Sequence, residues 1–228
     1  MTAGNIYQCY YLSINKYTPH PRIAVRGRLY PLPTSLRLRG ARGEKNMLTL
    51  VTSNPNKKIE VEEILVGVEI TTKALELPEI QSMDLKEIVI AKAKSAYALV
   101  GTPVLVEDVA FELDCLNGFP GPFVKFWKQV VGYELALEIA NLQNKYGVTA
   151  RCGAAYCNGD DVRYAEGVVR GRLTAKKGES GFGFDPYFIP EGHEKTFAQM
   201  SLEAKNGLSH RARAFKELRS ELKAAGVI

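Results

Sequence analysis

The alternation of hydrophobic and polar positions divides the chain into two parts at residue 47. The first 46 residues show no sustained period, whereas the remainder alternates short apolar runs with stretches of helical spacing. The predicted strands are residues 47–52, 68–72, 104–106, 148–157 and 162–173, and the predicted helices are residues 57–65, 84–101, 123–130, 133–145 and 209–225. Elements in this order predict a mixed α/β domain over 47–228, in which helices pack on a sheet that contains an antiparallel pair.

Turn and capping signals support these boundaries. Residues 53–56 read as a turn, and Asp84 with Glu87 forms a capping-box pattern at the start of a helix. Residues 158–160, Asn-Gly-Asp, predict a hairpin turn between the last two strands. Ser209 is the expected N-cap of the final helix.

The charge of the chain is concentrated in its first part. Residues 1–46 carry eight Lys and Arg against one acidic residue, while the other 182 residues carry 22 basic and 24 acidic ones. Arginines, prolines and turn residues predict a poorly ordered segment there. It could be a basic arm for nucleic acid, an acid-poor transit peptide, or an over-extended reading frame. The onset of the periodic pattern at Met47 favours the last.

Two further features limit the class of protein. No window approaches the ~18 uninterrupted apolar residues of a membrane-spanning helix. The four cysteines are widely spread and form no CxxC pair. We therefore expect no membrane association, no disulfide or metal-thiolate framework, and a reducing compartment such as the cytoplasm.

Residues 103–111, PVLVEDVAF, contain the first candidate site. An apolar run opened by proline predicts a buried central strand that ends at the adjacent acids Glu107 and Asp108. Buried charge is costly unless it is neutralised, and ligands bind at the carboxyl ends of such strands. The alternative is a solvated strand end or a structurally paired acid. A glycine-proline turn over 117–122 and an aromatic run containing Lys125 follow, which favours a site.

Three other clusters have chemistry of their own. Residues 52–57, Thr-Ser-Asn-Pro-Asn-Lys, place a strand, a turn and a helix N-terminus beside Lys57. This arrangement favours phosphate binding. The alternative is an ordinary polar turn with an exposed lysine. Residues 181–185, Gly-Phe-Gly-Phe-Asp, offer flat aromatic faces to a nucleobase, or form a hairpin corner with core phenylalanines. His210 and Arg211 oppose the helix dipole at a helix start, which indicates recognition of an acceptor or anion.

The acidic residues favour magnesium over zinc. Glu60, Glu79, Glu107 and Asp108 supply carboxylate oxygens, and the chain has only three histidines. Oxygen ligands of this kind suit Mg²⁺, which keeps several waters and is usually shared with substrate phosphates.

Four ordered segments together resemble the inosine triphosphate pyrophosphatase family, whose members hydrolyse noncanonical purine nucleoside triphosphates (ITP, dITP and XTP). The segments are TSNPNKK, LPE followed by EIVIAK, PVLVEDVAFELDCLNGFPGPFVKF, and GFGFDPYF with AKNGLSHRAR, and the resemblance spans about residues 48–222. It implies an elongated, twisted mixed sheet flanked by helices with a deep central cleft, and a homodimer. It also implies release of pyrophosphate and the nucleoside monophosphate after water attacks the α-phosphorus.

The resemblance assigns roles by position. The triphosphate would be bound by Thr52, Ser53, Asn54 and Lys57, with further contacts from Lys92 and Lys125. Magnesium would be held by Glu79 and Asp108, and the attacking water would be activated by Asp108 with Glu107 beside it. The base would be held by Phe182, Gly183, Phe184 and Asp185, and its six-position oxygen would be read by Lys205, His210 and Arg211.

This chain departs from the family pattern at two places. Ser53 stands where glycine is usual, and Pro55 stiffens the same turn. Val109-Ala110 follows Asp108 where a hydroxyl residue is usual. A pyrophosphatase for modified pyrimidines or standard deoxynucleoside triphosphates remains an alternative. A nucleic-acid-binding module is disfavoured, since residues 47–228 lack the basic excess that phosphate backbones require.

Overall fold

The structure is a computed structural model that describes residues 22–25, 28–31 and 47–228. The chain divides into two units, Met1–Gly43 and Glu44–Ile228. Of the first unit, the described part is an antiparallel hairpin of β1 (Arg22–Val25) and β2 (Arg28–Pro31). The predicted poor order of residues 1–46 falls mostly outside the described residues.

The second unit contains a seven-stranded mixed sheet and six α-helices. The strands are β3 (Met47–Val51), β4 (Glu69–Lys73), β5 (Val104–Leu113), β6 (Pro120–Gly121), β7 (Gly147–Cys157), β8 (Val162–Leu173) and β9 (Phe188–Pro190). The helices are α1 (Pro55–Ile64), α2 (Leu85–Val100), α3 (Val124–Val130), α4 (Tyr133–Gln143), α5 (Leu202–Leu208) and α6 (His210–Ala224). The predicted mixed α/β class is confirmed; the elongated shape and the deep cleft stay predictions.

The sheet has the order β4-β3-β5-β7-β8-β9, with β6 on the outer side of β5. Strands β3, β4 and β5 are parallel, and the other pairings are antiparallel. The β7–β8 hairpin follows the predicted turn at residues 158–160. Strand β5 is therefore the place where parallel pairing changes to antiparallel pairing.

Helices α2 and α6 cover opposite faces of the sheet because two glycines on β7 and β8 allow close approach. A Cβ at Gly153 would lie 3.0 Å from Val89 of α2, and one at Gly167 would lie 2.0 Å from the carbonyl oxygen of His210 in α6. Gly153 and Gly167 project to different faces in the β7–β8 register. Each helix buries its apolar side there, with Phe215 and Leu218 of α6 almost fully enclosed.

The structure corrects three local predictions and contains elements that were not predicted. Strand β5 does not end at Glu107 and Asp108, because it pairs with β7 through Leu113. Helix α1 begins at Pro55 rather than Lys57, since proline is favoured in a first turn. Glu87 accepts a hydrogen bond from Ser82 Oγ, so the predicted capping box is replaced by a simple Asp84 cap. Strand β9 and helix α5 were not predicted. In the part of the chain that the structure describes, no helix is long and apolar enough to span a membrane.

Candidate active site

A pocket of about 1090 Å³ opens along the outer edge of β5. That edge pairs with β3 at Val104 and Leu105 and with β6 at Phe111 and Glu112. Between these two pairings, residues 106–110 have no strand beside them on this side among the described residues. The pocket therefore lies at a gap in the sheet, and it reaches both faces of β5.

Glu107 and Asp108 point to opposite faces because neighbouring side chains in a strand alternate. Glu107 meets Lys57 of α1 and Arg211 of α6. Asp108 meets Lys92 of α2, and its Oδ1 accepts a hydrogen bond from the Val109 amide at 2.8 Å. Both acids line the pocket, so the gap lets adjacent residues act in one site from different faces.

The N-terminus of α1 forms one wall of the pocket. Asn54 caps the helix by accepting from the Asn56 amide at 3.0 Å, and Thr52 Oγ1 accepts from the Asn54 amide at 3.1 Å. Lys57 extends from the first turn and forms an ion pair with Glu107 Oε1. The positive end of the α1 dipole and the Lys57 ammonium group at the same wall provide positive potential for an anion.

Lys92 lies between two carboxylates on the α2 side of the pocket. Its Nζ is 2.8 Å from Glu79 Oε1 and 3.0 Å from Asp108 Oδ2. Burial alone would lower the pKa of Lys92, but the charges of Asp108 and Glu79 raise it well above its ordinary value. The ammonium group therefore stays charged and holds the two carboxylates close together.

A row of side chains with alternating charge lies beside the pocket, near Asp185 and Arg211. Lys205 Nζ is 2.7 Å from Asp185 Oδ2 and 2.6 Å from Glu60 Oε1. Arg211 continues the chain, with NH1 2.5 Å from Glu60 Oε2 and NH2 3.2 Å from Glu107 Oε2. All five side chains are at least 95% buried. Buried charges of this kind are stable only when each one is paired.

Burial and neighbouring charges shift the pKa values of three side chains in and beside this row of charges. Burial alone would raise the pKa of Glu107, but Arg211 and Lys57 hold it well below the ordinary value. Burial raises the pKa of Asp185, which Lys205 only partly offsets. Burial and the charge of Arg211 lower the pKa of His210, so its imidazole is neutral at pH 7.

Aromatic rings form the pocket wall next to this ionic chain. Phe184 is buried and stacks on Phe111 with centroids 4.2 Å apart, while its other neighbour, His210, lies at 5.4 Å. Phe182 is only partly buried, and the Lys205 ammonium and the Arg211 guanidinium lie 4.9 and 5.4 Å from its centroid. Phe182 is thus the more accessible of the two predicted stacking rings, and Phe184 has a structural role in the core as well.

The structure brings together nearly all of the predicted site residues. Those that line the pocket are Thr52, Ser53, Asn54, Lys57, Glu79, Lys92, Glu107, Asp108, Lys125, Phe182, Gly183, Phe184, Asp185, His210 and Arg211. Lys125 is exposed at the rim. Lys205 lies behind the wall, where it contacts Glu60 and Asp185 instead of lining the pocket. The predicted roles of these residues stay predictions.

The sequence analysis did not identify Tyr133 and named Glu60 only among the acids that could favour magnesium. Glu60 joins Lys205 to Arg211, and its acidic character on an apolar helix face was the only signal in the sequence. Tyr133, the first residue of α4, also lines the pocket. Nothing in its local sequence distinguishes it from a core tyrosine.

A metal ion could be held only with help from a ligand. Within residues 47–228 there is no group of three His, Cys, Asp or Glu side chains arranged to hold one. Glu79 and Asp108 both form ion pairs with Lys92, and both side chains are partly open to the pocket. Two carboxylates completed by water and phosphate oxygens are a usual Mg²⁺ environment, so these residues fit the predicted ion.

The fold and the site together define an α/β domain with a positively charged wall, a carboxylate cluster and an aromatic, ionic wall around one pocket. A sequence model of the Ham1 family matches residues 48–221. The inosine triphosphate pyrophosphatase of Yarrowia lipolytica is 39% identical over 177 residues, which cover 75% of this chain and 93% of that protein. The dITP/XTP pyrophosphatase of Saccharolobus solfataricus is 39% identical over 169 residues, or 73% of this chain and 88% of that protein.

Solved structures agree with these sequence matches. A HAM1 protein from Coxiella burnetii aligns with a TM-score of 0.69 at 25% identity, covering 78% of this chain and 99% of that one. The chain belongs to the Ham1 family. The family resemblance predicted from the four sequence segments is thereby confirmed.

Proposed function

We propose that this chain hydrolyses noncanonical purine nucleoside triphosphates, ITP, dITP and XTP, to the nucleoside monophosphate and pyrophosphate. One observation carries the proposal: a single pocket joins a helix N-terminus with Lys57, the Glu79–Lys92–Asp108 cluster and the aromatic wall at Phe182. A nucleoside triphosphate has matching parts in the same order, namely phosphates, a reacting phosphorus and a flat base. Relatives named inosine triphosphate and dITP/XTP pyrophosphatase support the choice of purine.

The triphosphate is bound by positive groups from three elements. Lys57 faces the pocket from the N-terminal end of α1, and Lys92 faces it from α2. Lys125 adds charge from α3 at the rim. Because these groups are fixed in the fold, they neutralise the phosphates without reorganising during the reaction.

Glu79 and Asp108 would hold Mg²⁺ together with the phosphate oxygens. When bound, the ion neutralises charge on the phosphates and makes the phosphorus a better electrophile. Lys92 sets the geometry by keeping the two carboxylates within 3.0 Å of its Nζ. This pairing supports the proposed ion site, which water and phosphate oxygens would complete.

Asp108 accepts the proton of the attacking water. The oxygen of that water forms a bond to the α-phosphorus, and the bond from this phosphorus to the bridging oxygen breaks with its electron pair, which leaves as pyrophosphate. The Val109 amide fixes Asp108 by donating to Oδ1 at 2.8 Å. A positioned general base of this kind contributes about 10²–10⁴-fold to a rate.

Base selectivity is supported by polar atoms that the fold leaves without partners. Within residues 47–228, His210 Nδ1 and Arg211 Nε are buried and make no hydrogen bond. Both residues line the pocket. A six-oxo purine offers them an acceptor, whereas the six-amino group of adenine does not. A buried donor without a partner costs about 1–3 kcal/mol, enough for roughly 10- to 100-fold discrimination.

The test is pyrophosphate release measured across ITP, dITP, XTP, GTP, ATP and UTP, with and without Mg²⁺. We expect the six-oxo purines ITP, dITP and XTP to have the highest kcat/KM. Asp108→Asn serves as the inactive control for a contaminating phosphatase. Equal turnover of ATP and UTP would refute the assignment.

We also propose that the chain forms a homodimer in the cytoplasm. Exposed apolar side chains on and after α3 and α4 support a contact surface, with Val130 82% and Leu142 88% exposed. The buried cysteines Cys115, Cys152 and Cys157 are free thiols, which suits a reducing compartment. Light scattering at micromolar concentration would test the dimer.

A further inference from the structure

Glu107 is a buried carboxylate that contacts both the cation proposed to bind phosphate and a cation proposed to read the base. Its side chain is 2% exposed, and within residues 47–228 its two ion pairs are with Lys57 and Arg211. Lys57 lines the pocket from α1, and Arg211 lines it from α6. One carboxylate therefore joins two sides of the pocket that different helices supply.

The charge of Glu107 is neutralised by these two cations together. Its Oε2 also accepts from the Cys152 thiol, with Sγ at 3.4 Å, but a thiol is a weak donor and carries no charge. A buried carboxylate that loses one cation depends more strongly on the other. The two cations also repel each other across the carboxylate. A ligand phosphate that neutralises Lys57 therefore removes this repulsion and lets Glu107 pair more closely with Arg211.

The pair between Arg211 and Glu107 is the longer of the two ion pairs that Arg211 makes. NH1 lies 2.5 Å from Glu60 Oε2, whereas NH2 lies 3.2 Å from Glu107 Oε2. Charge-assisted hydrogen bonds of this type are usually about 2.7–2.9 Å long, so the second pair can shorten. Glu60 stays paired in that case, because Lys205 lies 2.6 Å from its Oε1. A closer second pair fixes both ends of the guanidinium, and with them the buried Nε that has no partner within residues 47–228.

We propose that Glu107 is a positioning residue that couples phosphate binding at Lys57 to base recognition by Arg211. This inference rests on the proposed function and adds to it a dependence of base selectivity on the phosphates. When a triphosphate neutralises Lys57, Glu107 holds Arg211 more closely, and the Nε donor is fixed in place for a six-oxo base. The preference for hypoxanthine over adenine is therefore greater in a nucleoside triphosphate than in a nucleoside, which leaves Lys57 paired with Glu107.

The experiment measures the dissociation constants of four ligands for the wild-type full-length protein. Two are the nucleosides inosine and adenosine, titrated by NMR, and two are the α,β-methylene analogues of ITP and ATP, which resist cleavage and are titrated by calorimetry. Base selectivity is the Kd of the adenosine ligand divided by the Kd of the matching inosine ligand. We expect the selectivity of the triphosphate analogues to exceed that of the nucleosides at least about 5-fold, the lower end of typical coupling between two sites.

Two variants and a matched control locate the coupling. Glu107→Gln removes the shared charge and Lys57→Ala removes the phosphate-facing cation, so in each variant the two selectivities should become equal. Lys125→Ala is the control, because Lys125 also lines the pocket but forms no ion pair with Glu107 within residues 47–228. It should weaken both triphosphate analogues and leave the ratio of the two selectivities as in wild type. A purely structural role of Glu107 would weaken all four ligands without changing that ratio.

The outcomes separate this inference from the function on which it rests. Equal selectivities in wild type, or a greater selectivity for the nucleosides, overturn the inference and leave the proposed function intact. Coupling that persists in Glu107→Gln or in Lys57→Ala also overturns it, and if circular dichroism shows that one variant does not fold, the other decides. If wild type releases no pyrophosphate from ITP, the proposed function fails and this inference fails with it.

Discussion

Glu107 is the buried carboxylate that two cations share, and Glu107→Gln removes its charge with almost no change in shape. Its side chain is 2% exposed, and it pairs with Arg211 at 3.2 Å and with Lys57. Removing one partner of a buried ion pair costs about 3–5 kcal/mol. We expect the lower end, about 3 kcal/mol, because Arg211 keeps Glu60 and Lys57 is partly exposed. In a domain of this size that lowers Tm by roughly 6–12 °C.

The pH dependence of this loss identifies its cause. The pKa of Glu107 is lower in the folded chain than its ordinary value of 4.5. Its charge therefore stabilises the fold fully above pH 4.5, and the stabilisation is lost as the pH falls further. The difference between variant and wild type should shrink by about 1.4 kcal/mol per pH unit below that value.

Urea unfolding of both proteins at pH 7 and pH 3.5 measures the two differences. Glu166→Gln is the control, since Glu166 pairs with Arg151 on the surface, with both side chains 33% exposed. That change should cost less than about 1 kcal/mol at either pH. If Glu107→Gln costs the same at pH 3.5 as at pH 7, the loss comes from packing, and the charge argument is wrong.

Further predictions concern the reaction, the metal, the chain start and the base. Asp108→Asn should lower kcat for ITP about 10²–10⁴-fold with an unchanged Tm; a fully active variant would remove Asp108 from the mechanism. EDTA should abolish pyrophosphate release, and Mg²⁺ or Mn²⁺ should restore it, whereas full activity after exhaustive chelation would exclude a metal. A chain that starts at Met47 should fold and turn over like the full chain, and aggregation would show that the preceding residues belong to the fold. Arg211→Lys keeps a charge between Glu60 and Glu107 but loses the guanidinium fork, so kcat/KM for ITP should fall more than that for ATP. Lys57→Ala should lower kcat/KM for ITP and ATP about equally, because both substrates carry the same phosphates. Measuring both variants with both substrates distinguishes a role in base recognition from a role in phosphate binding.

Most elements of the fold could be predicted because turns, helix caps and hydrophobic periodicity are properties of short stretches of sequence. The Asn-Gly turn at 158–160 fixed the β7–β8 hairpin, and Ser209 was correctly placed as the cap of α6, where it accepts from the Ala212 amide at 3.1 Å. Strand β9 was missed, since three residues carry too little pattern and are held by pairing with β8. The same applies to the short helix α5.

The contacts within the site could not be predicted, because they join residues that are far apart in the sequence. Sequence motifs identified the residues around the pocket, but adjacent acids were expected to share a strand end. The partners that decide otherwise are far away in sequence: Arg211 lies 104 positions from Glu107, and Lys205 lies 145 positions from Glu60. No local pattern encodes which of two buried acids faces which helix.

The gap along β5 has a consequence for solubility. Unpaired strand edges are templates on which other chains can add a strand and aggregate. Among the described residues, the stretch 106–110 has no strand beside it on that side, and β3 and β6 close this gap at its two ends. At about 3.3 Å per residue the opening is roughly 17 Å long, and Val106 and Ala110 within it are almost fully buried. An extended chain from another molecule finds no long, exposed edge to pair with, whereas a compact ligand fits. The gap in the sheet is thus too short to act as an edge for a strand from another chain.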